Sequence, residues 1–283
     1  MQGFKDFDPA KDMRDLPDKF ISINTGTAGL GEESVRAFAA HNPLHIYLTS
    51  RDVAAVNALI SDTRAKYPTA SLSFIKMELS SLHAVKERFA EGFRYDRLDI
   101  LMNKASIIAK TAVLSTNGHE IQFATNYLGH AMLTKQLLPV LLMTAKYPHS
   151  DVRIISNTSA GYYFHRAIKG GIPFAELDAR STMSGTVLGA WIRHDQSTLA
   201  TILLSTELAR RHLELTSVVV HPVLAKIPTK TDMAGLSRIF VNVTSQFSGE
   251  KWLEPHQGVL NQLWCAAGAE KGTLKNEGYY TPL

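Results

Sequence analysis

A glycine-rich segment near the start of the chain has the composition of a phosphate-binding turn. Gly26, Gly29 and Gly31 follow a short β-prone run and precede a helix-prone stretch. Such a turn admits an anion, and the backbone N–H groups of the following helix N-terminus bind it. Arg51 comes just after the next β-prone run, where its charge suits the 2′-phosphate of a dinucleotide. A plain tight turn and a solvated arginine would explain the same residues, so these two motifs alone leave the function open.

These residues belong to a chain in which strand-like and helix-like segments alternate. Six β-prone runs are visible, at residues 20–24, 44–50, 71–79, 98–103, 151–157 and 216–221. Crossovers of a dozen or more residues require parallel strands, and near-continuous apolar runs indicate helices on both faces of the sheet. We therefore predict an α/β fold, with one Rossmann-like, doubly wound domain over residues 1–283. Ligands bind such sheets beyond the carboxyl ends of the strands.

Composition excludes several classes of protein and of site. The chain has 283 residues, and its 45% hydrophobic and 20% charged residues are ordinary globular values. A single cysteine excludes a disulfide framework, and the spacing of the histidines predicts no metal site. The net charge of +4 is scattered, and no stretch is long and apolar enough to span a bilayer. We expect a cytoplasmic protein without a nucleic-acid or membrane partner.

Further motifs are similar to those of the classical short-chain dehydrogenases/reductases. Residues 98–106 resemble their LDILMNNAG strand, and residues 118–130 resemble the helix that carries their active-site Asn, here Asn126. Ser159 ends a segment that resembles the strand bearing their catalytic Ser, and residues 194–201 resemble their YxxSKLAN helix. The resemblance runs from about residue 20 to residue 282 and implies the fold of that family. The cofactor-binding residues that it implies are Gly26, Gly29, Gly31, Arg51 and Asn103.

The departures from the family pattern fall at the reacting groups. His194 stands where the family has its catalytic Tyr, and Thr198 stands where it has the Lys one helical turn later. Thr198 lacks the charge that lowers the Tyr pKa and the reach to bond the nicotinamide ribose. Other replacements surround the expected cofactor groove, at Thr25, Lys104, Ser106 and Val223. We therefore predict that no cofactor is required and that NADP(H) binds weakly or not at all.

His194 is the predicted general acid/base of the site. An imidazole titrates near neutral pH without help from a neighbouring charge. We place His194 at the start of a helix over about residues 194–212, where the helix dipole lowers its pKa and keeps it neutral. Ser159 and Asn126 would donate hydrogen bonds to the substrate, while Asp195 would point elsewhere as a first-turn acid. A solvated His194 and purely structural roles for Ser159 and Asn126 are the alternatives.

An aromatic segment, about residues 161–192, is the expected substrate loop, and about residues 223–254 form the expected lid. Apolar and aromatic side chains beside a site suit a hydrophobic small molecule. The predicted pocket residues are Tyr162, Tyr163, Phe164, Trp191 and Leu224. Part of the aromatic segment must pack the loop itself, so only some of these side chains would line the pocket.

Three functions are compatible with this pattern. The main hypothesis is a repurposed enzyme that acts on an apolar, natural-product-like molecule without hydride transfer, as an isomerase, cyclase or dehydratase. The alternatives are an NADP(H)-dependent oxidoreductase with atypical catalytic residues and a non-catalytic protein of the same fold. The chain resembles fungal members of the family, many of which serve secondary metabolism. Family members often pair through two long helices, here about residues 118–146 and 194–212, so we expect a homodimer or homotetramer.

Overall fold

A parallel sheet positions the strand ends that the sequence singles out. The computed structural model describes residues 6–24, 27, 29–108, 110–167, 170–174, 177, 186–222 and 253–281. Within them, seven strands pair in the order β3-β2-β1-β4-β5-β6-β7. The strands are β1 Phe20–Asn24, β2 His45–Ser50, β3 Leu72–Lys76, β4 Ile100–Asn103, β5 Arg153–Asn157, β6 Thr216–Val220 and β7 Tyr279–Tyr280. The predicted α/β doubly wound sheet is confirmed.

The last strand was not predicted. Tyr279 and Tyr280 pair in parallel with Val219 and Val220 of β6. Two residues are too few to show an alternating pattern, so β7 leaves no signal in the sequence.

Helices connect the strands and cover both faces of the sheet. The α-helices are α1 Pro9–Asp12, α2 Leu30–Ala39, α3 Val53–Lys66, α4 Leu82–Gly92, α5 Ile121–Phe123, α6 Gly129–Ala145, α7 Val187–Arg211, α8 Pro255–Gly258 and α9 Leu260–Leu263. A π turn, Ala124–Leu128, joins α5 to α6, and a second π turn, Trp264–Gly268, follows α9. A 3-10 helix, Ala160–Ala167, follows β5.

Side-chain caps fix where these helices begin. Asp52 accepts a hydrogen bond from the backbone N–H of Ala55 at the start of α3. Thr186 does the same for Gly189, so α7 begins at Val187. The prediction that this helix starts at about residue 194 is therefore wrong, because the expected substrate loop supplies its first turns. His194 lies inside a helix of 25 residues, not at its positive end.

The core has two halves, one on each face of the sheet. On one face, Val35 and Phe38 of α2 and Val56 of α3 are fully buried against the sheet. On the other face, Val85 of α4 and Leu137 of α6 fill the corresponding space. These faces leave the carboxyl ends of the strands free for a site.

The order of the strands places that site between β1 and β4. The chain runs outward from β1 to β3 and then returns to β4, on the other side of β1. Asn24 and Asn103, the last residues of these strands, are paired in the sheet. This is the point of reversal at which doubly wound sheets bind ligands.

Several predicted positions lie outside the described residues. They are Thr25, Gly26, Val223, Leu224, nearly all of the expected lid and the side chain of Phe164. Among the helices described, none has the length and apolar character needed to cross a bilayer. The described part of the chain also holds no group of three His, Cys, Asp or Glu placed to bind a metal.

Candidate active site

The N-terminus of α2 has the form of an anion-binding site. Gly29 precedes the helix with φ of 53°, a left-handed conformation that glycine adopts without strain. No described side chain caps this helix, so its first N–H groups are available to a ligand. Gly31 is buried in the first turn of this helix. Both residues are where the sequence predicts a pyrophosphate cradle.

The two asparagines at the strand ends hold the floor of the groove. Asn24 Nδ2 donates a hydrogen bond to Asn103 Oδ1 at 2.6 Å. Asn103 Nδ2 in turn donates to Thr134 Oγ1 at 3.1 Å, which ties β4 to α6. The Asn103 amide is thus engaged within the protein. Its contribution to a cofactor site is to fix the strand ends and not to reach the ligand.

A pocket of about 450 Å³ opens beside Arg51. Its walls include Glu78, Ser80, Ile107 and Thr125, which follow β3 and β4 or belong to the π turn before α6. Arg51 lies at the exposed mouth, 3.6 Å from Glu78 Oε2. The pocket therefore lies beyond the carboxyl ends of β2, β3 and β4.

His194 is buried in the middle of α7, with 2% of its surface exposed. Its Nδ1 lies 3.3 Å from the carbonyl oxygen of Ile107 and 3.5 Å from Asn126 Nδ2. Because the carbonyl contact is the shorter and a carbonyl oxygen can only accept, we assign the proton to Nδ1. Burial lowers the pKa of His194 to about 4. The predicted direction of this shift is confirmed, but its cause is burial and not the helix dipole. At neutral pH the imidazole is uncharged, and its Nε2 is an acceptor.

Asn126 lies in the π turn and joins three parts of the site. Its Oδ1 accepts from the N–H of Ile107 at 2.8 Å, and its Nδ2 donates to the Ile107 carbonyl at 2.9 Å. Nδ2 also lies 2.9 Å from Ser197 Oγ on α7. These bonds leave Asn126 little capacity for a substrate, so it positions the chain around Ile107 and His194. π turns are frequent at functional sites, because they re-aim a side chain.

Thr158 and Thr198 connect the end of β5 to α7, and Ser159 bonds within the segment that follows β5. Ser159 Oγ accepts a hydrogen bond from the N–H of Gly161 at 3.1 Å. Thr198 Oγ1 donates to the carbonyl of Asp195 at 2.9 Å, and Thr158 Oγ1 donates to the Thr198 carbonyl at 3.1 Å. Thr198 therefore serves the helix backbone and supplies no charge to the site.

Asp195 departs most from expectation. Its side chain is not on the solvated surface of a first turn, since only 1% of the residue is exposed. Burial raises the pKa of its carboxyl to about 8. Both carboxyl oxygens lack a hydrogen-bond partner among the described residues. No sequence pattern indicates this burial, because a residue beside His194 on a helix faces a different direction from it.

The chain is similar in sequence to known proteins. A family model described as short chain dehydrogenase matches residues 19–167, more than half of the sequence. The protein is a short-chain dehydrogenase by family. A short-chain dehydrogenase/reductase of Aspergillus calidoustus is 29% identical over 94% of this chain and 85% of its own. A second one, of Armillaria gallica, is 31% identical over 94% of this chain and 82% of its own.

A solved structure shares the fold of this chain. NADPH-dependent 3-quinuclidinone reductase from Rhodotorula rubra superposes with a TM-score of 0.68 and is 12% identical, covering 99% of this chain and 95% of its own. At that identity the likeness shows the shared fold alone. The match to the family model ends at residue 167, before α7 and its unusual residues His194, Asp195 and Thr198.

Lys104 of this short-chain dehydrogenase has a role that sequence reasoning missed. Its Nζ donates hydrogen bonds to the carbonyl of Leu30 at 2.7 Å and to Ser34 Oγ, both on α2. Burial lowers the pKa of Lys104 to about 7. The sequence marked Lys104 only as a departure from the family pattern. In the structure it places an amine next to the first turn of α2.

The aromatic residues of the expected pocket are partly brought together. Tyr162 and Tyr163 stack with ring centroids 4.3 Å apart, and Tyr162 also lies 5.4 Å from Tyr279 of β7. Trp191 meets His194 edge-on, with centroids 6.2 Å apart. Two separate aromatic groups therefore flank α7, one at the sheet edge and one beside the imidazole.

Proposed function

We propose that this protein is an NADP(H)-dependent oxidoreductase with atypical catalytic residues. The observations that carry the proposal lie at the carboxyl ends of neighbouring strands: the uncapped α2 N-terminus after β1 and the pocket beside Arg51 after β2. Thr27 in the glycine-rich turn lies 3.4 Å from Ser50, which directly precedes Arg51. The names of the relatives and the NADPH-dependent structural neighbour support this function over the expected absence of a cofactor.

The residues of the groove fit a phosphorylated dinucleotide. The N–H groups that follow Gly29 would bind its pyrophosphate, and the guanidinium of Arg51 would pair with a 2′-phosphate. When bound, such a cofactor in its reduced form supplies a hydride to a carbonyl carbon. The Ser159 hydroxyl would bind the carbonyl oxygen of the substrate.

His194 does not fit the role of proton donor in this arrangement. Its Nδ1 proton faces the Ile107 carbonyl, and its Nε2 carries no proton at neutral pH. With a pKa of about 4, the imidazolium form is rare near pH 7. His194 would therefore accept a hydrogen bond from the substrate or fix its orientation. This is a weaker role than the general acid/base that the sequence predicts.

The substrate that we propose is an apolar small molecule with a reducible carbonyl. The stacked pair Tyr162–Tyr163 and the ring of Trp191 lie on the elements that flank Ser159 and His194. Aromatic side chains beside a few polar groups are typical of pockets for hydrophobic ligands. Met143 and Leu203 are exposed on α6 and α7, and we propose that they contribute to a homodimer or homotetramer. Sedimentation of the purified protein tests that assembly.

A second candidate function is the non-redox one. The observation that favours it is the uncharged Thr198, whose hydroxyl serves the Asp195 carbonyl. Without a cation there, the nicotinamide ribose has one anchor fewer. An isomerase, cyclase or dehydratase would need only proton transfer between groups of the site, and no cofactor.

A measurement of cofactor oxidation distinguishes the oxidoreductase function from the non-redox function. The protein is mixed with NADPH or NADH and a panel of apolar ketones, aldehydes and quinones, and cofactor absorbance is followed. We expect oxidation of NADPH with at least one carbonyl compound, faster than with NADH. Conversion of a panel compound without cofactor would favour the non-redox function. No conversion of any kind would favour a non-catalytic protein.

The matched variants are Arg51→Ala and Arg64→Ala. Arg51 lines the pocket, whereas Arg64 on α3 donates to the Leu72 carbonyl away from it. Only Arg51→Ala should reduce the preference for NADPH over NADH. If the wild-type protein used NADPH and NADH equally well, that result would contradict the role of Arg51.

A further inference from the structure

The carboxyl group of Asp195 is buried beside the reacting groups without a partner. Neither oxygen receives a hydrogen bond, and no ion pair forms with it in the described part of the chain. An unpaired buried carboxylate is strongly unfavourable, so the group is held as the neutral acid. His194 replaces the catalytic Tyr of the family in this chain, and the carboxyl of Asp195 is another group that can supply a proton.

Gly161 brings this carboxyl close to Ser159. A Cβ added at Gly161 would collide with Asp195 Oδ1 and would lie 3.3 Å from Ser159 Oγ. The carboxyl of α7 and the hydroxyl that follows β5 thus border the same small space, which only a glycine leaves open. They are not hydrogen-bonded to each other in this structure. A small rotation of the carboxyl or one water would connect them, as is common before substrate binds.

The groups around Asp195 leave its proton in place. The described elements that pack against α7 are the 3-10 helix with the side chains of Tyr162 and Tyr163, the π turn with Tyr127, and α5, β5 and β6. Among the last three the only charged side chain is Arg153 of β5, which pairs with Asp151. His194, next along the helix, is neutral near pH 7. Burial raises the pKa of Asp195 to about 8, and no charged side chain in the described part of the chain contributes to this shift.

We propose that Asp195 holds the proton that Ser159 delivers to the substrate oxygen. This inference rests on the proposed oxidoreductase function. The carbonyl carbon would receive a hydride from the reduced dinucleotide, so that the carbonyl electron pair moves to the oxygen. The Ser159 O–H bond breaks as an O–H bond forms at that oxygen. The Asp195 O–H bond breaks as its proton moves to Ser159 Oγ, and the carboxylate then takes a proton from water. Asp195 is thus a positioning residue for the proton, acting through Ser159.

Proton titration tests the state of Asp195 without any turnover. Infrared difference spectra of the wild-type protein between about pH 6 and pH 9 should show a protonated carboxyl band that disappears as the pH rises through the carboxyl pKa. Asp195→Asn should lack this band and release about one proton fewer over the same range. Asp62→Asn, at an exposed position of α3, should keep it. Absence of the band in the wild-type protein would overturn the proposal, whether or not the variants fold.

NADPH turnover provides the second readout. Wild-type activity should decrease above about pH 8, because the acid form is lost. Asp195→Asn should lower kcat by about 10²–10⁴-fold, with the KM for NADPH unchanged. Full activity of Asp195→Asn overturns the role of Asp195 and leaves the oxidoreductase function standing. Absence of NADPH oxidation by the wild-type protein overturns both.

Discussion

The buried amine of Lys104 should make the stability of the folded protein depend on pH. The pKa of Lys104 is lowered by burial to about 7 in the folded protein, against an ordinary value of 10.5. Between these values the unfolded chain binds a proton that the folded chain does not. The free energy of unfolding should therefore increase as the pH rises through this window. Below it, the folded protein carries the full cost of a buried ammonium group.

The size of the effect follows from the shift. About 1.4 kcal/mol per pKa unit gives roughly 5 kcal/mol over the whole window, and about 2–3 kcal/mol between pH 7 and pH 9. Lys104→Met removes the titrating group and leaves Ser34 Oγ donating to the Leu30 carbonyl, as it already does at 2.8 Å. Urea unfolding of both proteins at several pH values measures the difference.

The matched control for this experiment is Lys86→Met on α4, where the lysine is exposed. It should keep the pH dependence of the wild-type protein. The difference between wild type and Lys104→Met should grow with pH in the wild type's favour, by about 1 kcal/mol per pH unit above pH 7. Parallel stability curves for wild type and Lys104→Met would refute the reasoning, since they would mean that the amine keeps its ordinary pKa.

Three further predictions concern other parts of the protein. Arg51→Ala should weaken NADPH binding by about 10–100-fold in calorimetry and leave NADH binding unchanged, because one charged hydrogen bond contributes about 1.5–3 kcal/mol; an equal loss for both cofactors would contradict this. Burial lowers the pKa of His130 and of His194 to about 4. The free energy of unfolding should therefore fall by about 3 kcal/mol for each residue as the pH drops from about 6.5 to 4. In thermal unfolding, His130→Phe should lose less stability over this pH range than the wild-type protein. Gly129→Ala would push a methyl group into the Leu79 carbonyl and should destabilise by about 1–3 kcal/mol in urea unfolding, and an unchanged midpoint would mean that α6 can shift.

Local patterns in the sequence were enough to predict most of the sheet. The run from residue 20 to residue 24 became β1 with the predicted ends. The caps of α3 and α4, Asp52 and Ser81, directly precede these helices in the chain, so a local pattern is enough to locate where both begin. The start of α7 was missed, since Thr186 is one of several hydroxyl residues in a segment rich in glycine.

The sequence was enough to predict which residues lie at the site, but not the contacts that their side chains make. The strand ends, Ser159 and the unusual His194 could be found by spacing and resemblance. Lys104 reaches Leu30 and Ser34, some seventy residues earlier in the chain, and no local pattern predicts such a contact. The burial of Asp195 likewise depends on how α7 packs on the 3-10 helix. Tertiary packing, not residue type, therefore decides which group can hold a proton here.

Calorimetric titration of the wild-type protein with NADPH tests the central claim most directly. The uncapped α2 N-terminus and the Arg51 pocket predict binding at micromolar concentration or tighter. Binding of NADH should be weaker by about 10-fold or more, because it lacks the phosphate that Arg51 would hold. Heats equal to those of dilution for NADPH would contradict the account, and the groove would then have to be assigned to a different ligand.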